Sequence, residues 1–157
     1  LNHDNEYVRS WAVQLLAEKK NVPANAAQRF AVMAANDTSA LVRLYIASAL
    51  QRMKPDQTWD IVKNLSDRKE DMEDQNIPFV VWYALEPLVE LDPARATEIA
   101  MKSALPNILT YTLRRVRAIN NENAMNILRN TKQTLQNQKN LRADQQEALN
   151  SIDGLLK

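Results

Sequence analysis

The chain has 157 residues, enough for one compact domain or a few stacked repeats, and its 45% hydrophobic residues can supply a core. Twenty basic against nineteen acidic side chains leave a net charge of +1, so no strong field draws it to nucleic acid or an anionic membrane. Zero cysteines exclude disulfides, thiolate nucleophiles, thiolate metal sites and covalent haem attachment, and a single glycine, Gly154, argues against β-hairpin folds and phosphate-cradling loops.

Leu1, Asn2, His3 and Asp4 lead straight into a helical pattern without a signal peptide, as expected of a domain excised from a longer protein. Segment Val8 to Leu16 places Val8, Trp11, Ala12, Leu15 and Leu16 at i, i+3, i+4, i+7 and i+8, which predicts a helix buried along that stripe. The pattern returns at Val42 to Leu50, an offset of 34 residues. A period in the range of roughly 20–50 residues signals stacked supersecondary units, each too small to bury its apolar face alone. Partner helices begin near Pro23, Pro55 and Pro93, where the missing proline N–H falls in a helix's first turn, and Asp92 is the clearest N-cap.

After an acidic insert, Asp67 to Asn76, a third copy begins with Asp74 as cap and Pro78 in the first turn. Phe79, Trp82 and Tyr83 are expected where Val8, Trp11 and Ala12 stand, on a helix so apolar all round that it should be central. A fourth copy, Pro106 to Ile119, puts Tyr111 at the aromatic position ahead of Arg114, Arg115 and Arg117. A partner helix follows with Ala124, Ile127, Leu128 and Thr131. The last stripe, Leu141 to Leu156, has a polar outer face suited to a terminal cap. The expectation is one all-α domain over residues 1–157, an α-α superhelix of about nine helices in four to five pairs. No stretch reaches the roughly 18 apolar residues of a membrane span.

Chemistry is sparse. The lone histidine, His3, stands at a chain end where a poised catalytic group is not expected. Glu70, Asp71, Glu73, Asp74 and Asn76 are the only cluster with enough oxygen ligands for calcium, but they lack an EF-hand-type glycine and fit solvated caps better. Counting four from Trp82 gives Glu86 and four from Tyr111 gives Arg115, both at a core position, so a buried ion pair beside the helix-interrupting Pro87 is expected. Arg9 and Arg43 are expected to pair with Asp4 and Asp37 across the tight turn of their own repeats. Trp11, Trp59, Trp82, Tyr45 and Tyr111 are expected in the core rather than on a stacking platform. Arg114, Arg115, Arg117, Arg129, Lys132, Lys139 and Arg142 form the only cationic stretch. No cofactor is expected.

The Asp-x-x-x-Val-Arg opening at Asp4 to Arg9, with an aromatic and small residues following at helical spacing, resembles HEAT repeats. The tetratricopeptide class shares the period but its glycine and aromatic signature is missing. The run Asp71 to Leu88, with Val42 to Arg52 and Leu113-Arg114-Arg115, resembles the helical region of large envelope proteins, similar to membrane-bound dehydrogenases, from planctomycete- and bacteroidete-type bacteria. That resemblance implies a non-catalytic scaffold or protein-interaction module in the periplasm or cell envelope. Its neighbours would be a glucose/sorbosone-dehydrogenase-like propeller before it and a cytochrome c domain after it. The haem motif itself is absent from this chain. A glycan or small-ligand binder on the concave face is the first alternative. The second is a nucleic-acid-binding repeat resembling HEAT-like DNA glycosylases, against which the near-zero charge counts.

Overall fold

A computed structural model describes residues 1–156. Among them are nine α-helices and no strand: α1 (Glu6–Glu18), α2 (Ala24–Asn36), α3 (Ala40–Leu50), α4 (Trp59–Ser66), α5 (Ile77–Leu91), α6 (Pro93–Lys102), α7 (Ile108–Ile119), α8 (Glu122–Asn137) and α9 (Ala143–Leu155). Short 3-10 turns at Pro55–Gln57 and Lys69–Asp71 flank α4.

Local chemistry sets the boundaries. Asn5, Ser39, Asp92 and Asn121 each accept a backbone N–H from the first turn of α1, α3, α6 and α8, a contribution of about 1 kcal/mol per cap. Asp74 Oδ1 accepts from Asn76 N at 2.8 Å and Ile77 N at 2.9 Å, so α5 starts where the acidic insert ends, with Pro78 in its first turn. Pro93 is the first residue of α6, Pro55 opens the turn leading into α4, and Pro23 immediately precedes α2. Positive φ is supplied without glycine, by Lys20 after α1 and by Asn107 and Asn120 at the two ends of α7. Asparagine tolerates this region better than most residues. Gly154 instead sits inside α9 with open space where a Cβ would project.

The odd-numbered helices pack against one another in chain order, α1 on α3, α3 on α5, α5 on α7 and α7 on α9, and α2, α4, α6 and α8 do the same. From α3 onward each helix also touches the next in the chain, so two rows of helices share the core between them. Phe30, Ile46, Ile61, Leu65, Ile77, Leu85, Leu109 and Leu113 are fully buried there. Each such side chain stabilises the fold by about 1.5–3 kcal/mol through removal from water. The central place expected for α5 is the observed one, since it packs on α3, α4, α6 and α7.

The apolar stripe of α1 does not lie where its spacing predicted. Ser10, Val13 and Ala17 are buried against the neighbours, while Val8, Trp11 and Leu15 are exposed. In α3, which lies between α1 and α5, the corresponding Val42 and Ala49 are buried and Tyr45 is partly so. An end helix has one packed side and an interior helix has two, a distinction that sequence periodicity does not carry.

Candidate functional site

Arg9 and Arg43 each reach forward to a carboxylate 28 residues onward. Arg9 meets Asp37 with Nε and Nη2, both at 2.8 Å, and Arg43 meets Asp71 with Nε at 2.6 Å and Nη2 at 2.5 Å. Both pairs span 28 residues, and the second lies 34 residues after the first. The expected pairing within one repeat is therefore corrected: Arg9 takes only the backbone carbonyls of His3 and Asp4, and Arg43 only that of Asp37, through Nη1. The planar guanidinium fork explains the choice. Two of its edges match a carboxylate and the remaining N–H points back at the turn it has just left.

Burial pushes the Asp37 carboxyl upward, but the Arg9 guanidinium, the Ser39 N–H and the charge of Arg43 outweigh it and hold it below the ordinary carboxylate range. The hydrogen bonds it donates to Asp71 raise Arg43 above its usual value. One further step of 34 leads to Ile77, fully buried, so the ladder ends at Asp71.

This also accounts for the acidic insert. Asp71 is bound to Arg43, Glu70 pairs with Arg68 at 2.5 Å, and Asp74 caps α5. Glu73 and Asn76 are exposed, and among the described residues no group of acidic or histidine side chains converges for a metal ion. Three of the five oxygen ligands considered for calcium are thus already engaged. Most of the cationic stretch is likewise engaged: Arg117 bonds to Asn120, Arg129 pairs with Glu122, Lys132 with Asp153, and Arg142 with Asp144. Arg142 and Gln145 also cap the carbonyl end of α6, as Arg68 caps that of α2 at Ala35 and Asp37.

A cleft of about 430 Å³ lies between α5 and α7. Phe79, Trp82 and Tyr83 of α5 face Tyr111, Arg114, Arg115 and Ala118 of α7 across it, with Glu86 at one side. Trp82 and Tyr111 pack at 5.5 Å between ring centroids with planes tilted by 54°, a geometry favoured by the ring quadrupoles. Two steps of 34 residues carry Trp11 and Leu15 onto Phe79 and Tyr83, and all four are about half exposed. The aromatic in register with Trp11 and Tyr45 is thus Phe79, while Trp82, expected there, turns partly inward. Of the expected core aromatics, Trp59 is buried beneath Arg95 with the guanidinium 4.5 Å from its ring centre; Trp11 is 60% exposed.

Glu86 and Arg115 do meet, at 3.7 Å, but not in the core. Their side chains are 45% and 30% exposed, and Arg115 gives its hydrogen bond to Glu90 instead. Arg115 Nε is itself shielded and has no acceptor within hydrogen-bond reach. Glu90 follows Glu86 by four residues on the same helix face, and that spacing was the available sign of a second carboxylate. Phe79 and Tyr83, also four apart, could have been read as an outer stripe in the same way.

Comparison of the chain with protein-family models, curated proteins and solved structures gave no match in any of the three.

Proposed function

We propose that the chain is a HEAT-type helical repeat, built as an α-α superhelix, that serves as a non-catalytic scaffold holding other protein segments. The repeat reading is supported by the recurrence of the forward Arg–Asp pair after 34 residues and by the packing of odd on odd and even on even helices. The interaction reading is carried by the placement of apolar surface. Seven of the nine large hydrophobic side chains exposed among the described residues belong to α1 or α5: Tyr7, Val8, Trp11 and Leu15 on the first, Phe79, Tyr83 and Leu91 on the second. Tyr7, Trp11 and Leu15 follow at intervals of four on a single face. Concentrated exposure of this kind is costly in water and marks contact surfaces. Aromatic side chains supply large contact area at low entropic cost, as binding hot spots require.

On this reading the partner is a neighbouring domain or a separate protein. The envelope-dehydrogenase setting, with a propeller and a cytochrome c as neighbours, rests on the resemblance of Asp71 to Leu88 and its companion segments alone. Panning a random-peptide phage library tests the interaction reading. We expect convergent sequences whose binding is lost in Trp11→Ala or Tyr83→Ala and kept in Val32→Ala, where the exposed apolar side chain belongs to α2. No convergent peptide, together with hits on a glycan array, would replace it by the carbohydrate-binding alternative.

A further inference from the structure

We propose that the α5–α7 joint is a latch with two states, which Arg115 closes by adding Glu86 to the Glu90 it already holds. The proposal concerns how wide the cleft stands and does not depend on what fills it. Arg115 Nε and Glu86 Oε1 face each other at 3.7 Å, and neither has a hydrogen-bond partner among the described residues. A shielded N–H left without an acceptor is costly, and here the acceptor is at hand. A movement of about 0.5–1 Å brings the two to ordinary N–H···O distance. The sealed pair shows the end point, since Arg43 meets Asp71 with both Nε and Nη2.

Helix geometry holds the latch ajar. Glu86 and Glu90 stand one turn apart on α5, where side chains start about 5–6 Å from each other. The edge of a guanidinium matches a single carboxylate, so on a straight helix it serves one of the two and falls short of the other. Pro87 lies between them, inside α5. Having no N–H, it leaves the Tyr83 carbonyl without its intrahelical donor, and helices bend at such points. Pro87 is exposed, so a bend there works against solvent rather than against the core.

Tyr83 and Glu86 both line the cleft, and the bend that carries Glu86 to Arg115 therefore also narrows it. The bond gained on closing is a part-exposed ion pair, its side chains 45% and 30% open to water. Such a pair shifts an equilibrium by no more than about fivefold, so both states are populated and neither is locked. Salt screens exposed charges and favours the open state. The cleft is then narrowed at low ionic strength and open at high, a dependence that the sealed Arg43–Asp71 pair does not share.

The arginine side-chain Nε–H resonances of the whole isotope-labelled chain, read by NMR, test this, and Arg115→Lys identifies the one to follow by deleting it. In the parent chain the Arg115 resonance should lie downfield of its position in Glu86→Ala, as one averaged peak or as a pair whose intensities change. Raising salt to about 1 M should move it to the Glu86→Ala position, with the backbone amides of Leu88 to Leu91 shifting in step. Pro87→Ala, which restores the helical hydrogen bond, should give that same position without salt. The Arg43 resonance should stay fixed throughout. Glu86, Pro87 and Arg115 all reach solvent, so the variants should fold, and a cooperative thermal melt checks this. An Arg115 resonance that is the same in the parent and in Glu86→Ala, and indifferent to salt, means that the latch never closes and overturns the proposal. One that moves in Glu86→Ala but keeps its parent position in Pro87→Ala means a fixed ion pair without a bend, and overturns it equally.

Discussion

Arg43 and Arg115 both hold a carboxylate from another element, yet Arg43 and Asp71 expose only 3% and 1% of their side chains while Arg115, Glu86 and Glu90 expose 30%, 45% and 61%. In the first half of the molecule the charge is sealed between elements, with each guanidinium nitrogen of Arg43 hydrogen-bonded. In the second half it stands at the edge of an aromatic cleft with donors to spare. Removing ions from water costs several kcal/mol each, so the sealed pair is committed to structure: any ligand that took one partner would leave the other buried and alone. The open pair carries no such penalty. The difference separates residues that fix how elements pack from residues whose charge stays open to solvent.

Removing one partner of the sealed pair is the harshest test. Asp71→Ala leaves the Arg43 guanidinium buried without its counter-ion, and urea unfolding should show a loss of about 3–5 kcal/mol. Replacing both, as Arg43→Met with Asp71→Leu, should recover most of it, because the penalty lies in the orphaned charge. A loss below about 1 kcal/mol for Asp71→Ala would place this pair with ordinary surface pairs and erase the contrast with the cleft.

Asp37 sharpens the contrast by pH. Its carboxyl is pushed up by burial but held lower by Arg9, Ser39 and Arg43, so its folded-state pKa lies below that of the unfolded chain. The native state therefore binds the fewer protons. This contribution is complete above the unfolded value of about 3.9 and is lost as pH falls through the lower folded value. Asp37→Asn should lower stability at neutral pH by about 1–3 kcal/mol, since the Arg9 fork loses a charged acceptor. It should also flatten the acid limb of a plot of unfolding midpoint against pH. An acid limb as steep as that of the parent chain would remove Asp37 from the ladder's energetics.

The helices and their order were legible because caps, first-turn prolines and 3.6-residue periodicity act over a few residues, as at Asp74 with Pro78 and Asp92 with Pro93. Which side of each helix would be covered was not. Val8, Trp11 and Leu15 have the spacing of a core stripe, yet Ser10, Val13 and Ala17 are the residues of α1 that are buried. The ladder was half legible. Arg9, Arg43, Asp37 and Asp71 were singled out by residue type, but nearness in sequence suggested Asp4 and Asp37 as partners, whereas stacking brings the Asp 28 residues onward into reach. At the cleft, Glu86 and Arg115 were found by counting along helices, and their burial was overestimated because the count followed Trp82 rather than Phe79. A register error of three residues swings the assigned face by about 60° round the helix, which moves a rim residue into the core on paper.

The smallest effect on stability should come from the residue where the two halves differ most. Arg115→Ala breaks contacts to two carboxylates, more than any single change in the ladder, and yet should cost only about 0–1 kcal/mol because water solvates Glu86 and Glu90 once they are released. The freed carboxylates would then face the aromatic rings with no counter-charge beyond Arg114. The melting temperature should therefore barely move. A large drop in thermal stability would mean that Arg115 clamps α5 to α7 as Arg43 clamps its neighbours. The division between a sealed and an open half would then give way to one continuous set of structural pairs.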